Sequence, residues 1–148
     1  MKYNGVLLAG VLGWAIAQIL KFIFYLIVNK VAKAERLFGS GGMPSSHSAM
    51  VCAALAATGR AAGVESPTFA VMFILAAIVM YDAMNVRQAA GQHAKILNDL
   101  KRRMTEAGSL ADRGKAATKD LKEYLGHTPL EVVCGAILGI GIGFLLPL

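Results

Sequence analysis

Charge is scarce in this sequence. Only 16% of its 148 residues are Asp, Glu, Lys or Arg, while 56% are hydrophobic, a balance that excludes an ordinary soluble domain. Acidic residues are the scarcer sign, nine against fifteen Lys and Arg, leaving a formal charge of +6. In a soluble chain that excess would suggest nucleic acid. Here the cations lie between long apolar blocks, so membrane topology explains them and no nucleic-acid partner is expected. Cysteine is nearly absent: Cys52 and Cys134 both sit inside apolar blocks, which excludes a disulfide framework and a cysteine metal cluster. No HExxH, CxxC or clustered-carboxylate pattern occurs, so neither a metal nor another cofactor is expected. Internal repeats and low-complexity tracts are lacking too, and the length fits one domain over residues 1–148.

What is present is apolar sequence in four blocks, at about 5–28, 45–62, 68–84 and 129–146. The expected fold is an all-α integral membrane protein with about four transmembrane helices. The first block has a charged start, but Gln18, Lys21 and the bulky residues after them do not resemble a cleavage site, so it reads as a retained span. Of the Lys and Arg residues, only Lys2 and Arg60 fall outside the connectors 29–43 and 85–126 and the end of the first span. The positive-inside rule then puts both connectors in the cytoplasm and both termini outside a multi-pass inner-membrane protein.

The second block is rich in small residues, with Ala49, Ala53 and Ala57 at four-residue intervals. The fourth carries Gly135, Gly139 and Gly143 at the same spacing, a ridge for close helix packing. Within 85–126, Val86, Ala89, Ala90, Ile96, Leu97, Leu100 and Met104 recur at helical intervals between cations. That pattern predicts an amphipathic cytoplasmic helix, on the membrane surface or against a partner helix. Lys115 to Leu125 reads as a second short helix.

Polar residues that look out of place gather at the cytoplasmic ends of the spans. Lys21 lies seven residues before the end of the first block, ~10 Å deep at 1.5 Å per residue. It shares a helix face with Gln18 and Tyr25 and suits either a site facing protein or a snorkelling cation. Gly41-Gly42-Met43-Pro44-Ser45-Ser46-His47 passes from a loose loop into the second helix, with serines placed to cap it and His47 in its first turn. Read alone, that stretch is a capped helix with a surface histidine. Asp82 and Arg87 close the third block. Thr128, Pro129 and Glu131 form a capping box at the start of the fourth, and His127 stands i−4 to Glu131. Glu131 either completes that cap or fixes the tautomer of His127.

Two imidazoles, two cations and two carboxylates at one level suit metal-free phosphoryl transfer. Lys21 and Arg87 would neutralise phosphate oxygens, and the amides and hydroxyls at Ser45 and Ser46 would cradle them. One histidine would attack phosphorus while the other protonates the departing oxygen.

The stretches GGMPSSHSAM (41–50), YDAMNVRQAAGQHAKILN (81–98) and LGHTPLEVVCGAILG (125–139) resemble the type 2 phosphatidic acid phosphatase superfamily, which includes the vanadium haloperoxidases. The likeness is closest to its divergent branch of small bacterial and plastid membrane proteins. The resemblance implies a phosphate-binding lysine at Lys21, a phosphate-binding serine at Ser45 and an acid histidine at His47. Ser46 replaces the glycine of the family's P-S-G-H segment. It also implies a nucleophilic histidine at His127 followed by Glu131, where the family has aspartate. The family's arginine corresponds to Arg87, although 39 residues lie between it and His127, or to Arg36. Asp82 has no counterpart and is placed to orient Arg87.

The implied activity is hydrolysis of a lipid phosphomonoester or pyrophosphate through a phosphohistidine. Phosphatidic acid, phosphatidylglycerol phosphate and polyprenyl phosphates are all candidate substrates. The alternatives are a non-catalytic lipid-binding or assembly protein that keeps the fold, and a small transporter or flippase. Four thin spans also suggest a homodimer.

Overall fold

A computed structural model describes residues 4–29, 42–106, 120–121 and 126–147. Among them every regular element is a helix: α1 (Gly5–Asn29), α2 (Ser46–Ala62), α3 (Pro67–Met84), α4 (Val86–Glu106) and α5 (Pro129–Leu145). The helix starts follow local chemistry. Ser45, Ser66 and Thr128 each occupy the N-cap in extended conformation, and their hydroxyls accept the amides of Ser48, Phe69 and Glu131. Proline at the first position pre-sets α3 and α5. The Met43–Pro44 peptide ahead of α2 is cis.

By length and hydropathy two segments are able to cross a membrane: Gly5–Val28, and Pro67–Glu106, in which α3 is the apolar half. α5 is apolar but for Glu131 in its first turn, and has 17 residues. α2 is the least apolar of these helices because its small residues face protein, not lipid. It lies at the centre, packed on α1, α3 and α5.

The packing inverts the soluble pattern. Small residues are inside: Ala9, Ala17, Ala49, Ala53 and Ala57 are wholly buried. Large ones point outward, among them Leu7, Ile27, Val71, Ile78, Leu130 and Ile137. A bundle that hides alanine and glycine and presents leucine and isoleucine is built for lipid surroundings, where close backbone approach drives association.

The glycines of α5 fix the closest approach. A Cβ at Gly135 would strike the Ser45 carbonyl, one at Gly139 the Ala49 carbonyl, and one at Gly143 would lie 2.6 Å from the Ala53 carbonyl. Both series advance four residues at a time in the same direction, so α2 and α5 run parallel. On α1, Gly13 faces Ala49 and Ala53 while Lys21 reaches Ser46, so α1 runs antiparallel to α2. At the far end Arg60 donates to the Gly143 and Leu146 carbonyls at 2.8 and 2.6 Å, tying the end of α2 to the open carbonyls of α5.

The amphipathic helix expected after residue 85 is α4. Of the short helix expected over 115–125, Asp120 and Leu121 belong to no helix, and the remainder lies outside the described residues. So does Arg36.

Gly139→Val places new atoms against the Ala49 backbone, which cannot yield as a side chain can. The expected loss is ~1–3 kcal/mol or failure of the bundle to assemble. Gly141 has open space around its Cβ position. Gly141→Ala should therefore hold or slightly raise the denaturation midpoint, since helical glycine is itself unfavourable. Thermal unfolding of the two variants in detergent separates these outcomes.

Candidate active site

The parallel run of α2 and α5 brings two helix N-termini to one end of the bundle, where the antiparallel α1 and α3 deliver their C-terminal halves. His47 and His127 meet there edge to face, ring centroids 6.1 Å apart at 63°. A chance surface placement of His47 is thereby set aside: its Nδ1 is buried, as is Nε2 of His127, and neither has a hydrogen-bond partner among the described residues.

Glu131 fulfils both roles proposed for it from sequence. Its Oε2 accepts the Thr128 amide at 3.0 Å and lies 3.1 Å from His127 Nδ1, while Thr128 Oγ1 accepts the Glu131 amide. A carboxylate oxygen only accepts, so Nδ1 carries the proton and the lone pair is on Nε2. His127 is 3% exposed. Burial lowers its pKa from the ordinary imidazole value, the Glu131 hydrogen bond opposes that, and the Lys21 and Arg87 charges add to the lowering. The net lowering favours the neutral ring.

Lys21 is 4% exposed, with its Nζ 3.5 Å from Ser46 Oγ. Snorkelling is excluded by that burial. Gly42, at φ +91°, is the residue that lies against the lysine stem, its Cβ position 3.4 Å from Cγ. Ser45 is wholly buried; besides capping α2, its hydroxyl accepts Ser48 Oγ at 3.1 Å, and its amide donates to the Glu131 carbonyl at 3.0 Å. That last bond staples the start of α2 to the first turn of α5.

Arg87 joins the group despite the 39 intervening residues. The His127 amide donates to the Ala83 carbonyl at 3.0 Å. Gly126, at φ +90°, seats its Cα against the backbone of Arg87 and Gln88, where any Cβ would collide. The charges of Arg87, Lys21 and Asp82 all reach His47. Arg87 Nε is held by Asp82 Oδ2 at 3.0 Å, with both side chains nearly half exposed, so Asp82 does orient it. Gly126 was not singled out from sequence. Its one signal there is position: a glycine immediately before a histidine that precedes a capping box. The third histidine, His93, is exposed on α4.

A bundle with a small-residue interior and an apolar exterior, with Lys21, His47 and His127 gathered at one end, defines a helical membrane protein. Within that class the chain belongs to the divergent PAP2 family, whose sequence model matches residues 2–142. It is 39% identical over 145 residues to the uncharacterized membrane protein YuiD of Bacillus subtilis (strain 168), a match covering 93% of this chain and 90% of YuiD. No solved structure matches the chain.

Glu131 raises the His127 pKa by hydrogen bond and by charge. Removing the charge in Glu131→Gln should lower that pKa further below ~6.5. Histidine NMR titrations of wild type and variant in nanodiscs read this directly, and an upward shift would contradict the assignment.

Proposed function

We propose that this protein is a lipid phosphatase that cleaves a phosphomonoester or pyrophosphate from a lipid without a metal. The observation that carries the reading is the pairing of two open imidazole nitrogens, His47 Nδ1 and His127 Nε2, between a buried lysine and two convergent helix N-termini.

The sequence of steps follows from those positions. Lys21, Arg87, the Ser45 and Ser46 hydroxyls and the first amides of α2 bind the phosphoryl oxygens. The His127 Nε2 lone pair attacks phosphorus and the bond from phosphorus to the lipid oxygen breaks. His47 gives its proton to that oxygen, releasing the lipid alcohol (or, from a pyrophosphate, the lipid monophosphate) and leaving phosphohistidine. His47, now a base, takes a proton from water as the water attacks phosphorus. Inorganic phosphate departs and His127 is restored. Glu131 holds the imidazole through Nδ1 and stabilises the positive charge it acquires on attack.

Topology completes the proposal. α1, α2, α3 and α5 each cross the inner membrane, both termini lie outside, and the site opens to the cytoplasmic leaflet, where the cationic connectors lie. A lipid headgroup reaches helix ends at that depth while its acyl chains remain in the bilayer.

Purified wild type in detergent with a chelator should release phosphate from at least one member of a panel of phosphorylated lipids, and vanadate should inhibit it. His127→Ala should abolish turnover, and His47→Ala should reduce kcat by ~10²–10⁴-fold. The lowered His127 pKa puts the acid limb of kcat/KM below pH ~6.5, because activity is lost only where that ring gains a proton. No turnover of any lipid by wild type would favour the non-catalytic, lipid-binding alternative.

A further inference from the structure

α4 is not explained by the site it borders. Among the described residues it packs on no helix but α3. At 100° per residue, Val86, Ile96, Leu97, Leu100 and Met104 fall on one stripe. They are 60%, 65%, 51%, 52% and 39% exposed. The chain's own return segment occupies a different face. Gly126 seats on Gln88, Asn98 exchanges hydrogen bonds of 2.9 and 3.0 Å with the Leu121 backbone, and Lys101 pairs with Asp120 at 2.8 Å. Among the described residues nothing covers the stripe.

Length and charge decide where this helix lies. The 40 residues of Pro67–Glu106 would span ~60 Å as a helix, twice a hydrocarbon core of ~30 Å. α3 supplies the apolar half. α4 holds five cations and two acids in 21 residues and has no place in hydrocarbon. Followed back at intervals of three and four, its stripe passes through Asp82 into Ile78, Leu75 and Val71, which are exposed on α3. The apolar surface of α4 is thus a continuation of a surface that already faces lipid. Lys101, paired with Asp120, flanks the stripe on one edge and Arg103, paired with Asp99 at 2.8 Å, on the other. Exposed pairs of this kind hold little stability and can be exchanged for anionic headgroups beside a shallowly sunk helix.

We propose that α4 is an interfacial helix that binds an anionic lipid surface, its apolar stripe at the level of the upper acyl chains and its edge cations among the headgroups. Docked in this way, α4 fixes Arg87, one residue inside its N-terminus, at headgroup depth. The proposal needs α3 to cross the membrane and does not rest on the phosphatase reading.

The test uses the full chain with its sole tryptophan replaced, Trp14→Phe, and a new one introduced by Leu97→Trp, by Leu100→Trp or, on the opposite face, by Lys95→Trp. Each protein is reconstituted in phosphatidylcholine vesicles, with and without phosphatidylglycerol, containing lipid brominated in the upper acyl chain. Quenching at positions 97 and 100 should exceed that at 95 by at least about twofold, and should weaken by a similar factor without phosphatidylglycerol. Equal quenching at all three positions would overturn the proposal. So would insensitivity to phosphatidylglycerol, or unquenched probes at 97 and 100 that cross-link to a second copy of the chain. Two independent stripe positions guard against one substitution perturbing the fold.

Discussion

The close parallel approach of α2 and α5 is the constraint on which the rest of the structure depends. It exists because Gly135, Gly139 and Gly143 present no side chain to the carbonyls of Ser45, Ala49 and Ala53. Parallel neighbours set two positive dipole ends side by side, which is unfavourable on its own. The capping hydroxyls of Ser45 and Thr128 and the carboxylate of Glu131 relieve part of that field. Lys21 and Arg87 then add to it. What results is an end of the bundle where positive charge gathers, the feature on which the proposed phosphate binding rests.

Lys21 shows the direction of that balance. A lysine sealed within a membrane helix is costly, and Ser46 Oγ at 3.5 Å is a weak partner for an ammonium group. Asp82, by contrast, holds Arg87 in a half-exposed pair that contributes little to stability and can be exchanged for another ligand. The two cations are therefore differently prepared: one is fixed and under-satisfied, the other satisfied and able to move. A phosphate would gain most from the first and would need to compete for the second.

The legible parts of this site were those written within one helical turn. The capping box, the His127–Glu131 spacing, the serine cap and the small-residue ridges are all intervals of three or four, and the backbone geometry of a helix turns such intervals into contacts. Which ridge meets which was not readable, since Ala49 and Gly139 declare only that something packs closely there. Nor was the proximity of Arg87 to His127. It depends on the positive φ of Gly126 and on the amide bond from His127 to Ala83, neither of which any periodicity announces. The apolar helices were legible from hydropathy where their side chains point outward. α2, packed on α1, α3 and α5, was marked by its small residues instead.

Glutamate at position 131 follows from how this helix begins. His127 stands one residue before the N-cap, outside the helix, so its partner must come from the first turn and reach back. A glutamate at the third helical position already does so to complete a capping box. Its Oε2, held by the Thr128 amide, comes within 3.1 Å of Nδ1 of the preceding residue. The contact that fixes the carboxylate's rotamer is the one that starts the helix, so the orientation of His127 costs little additional ordering. The longer side chain is thus not a weakened aspartate. In this chain the cap and the support of the imidazole are the same oxygen, and the glutamate's extra methylene lets that oxygen serve both.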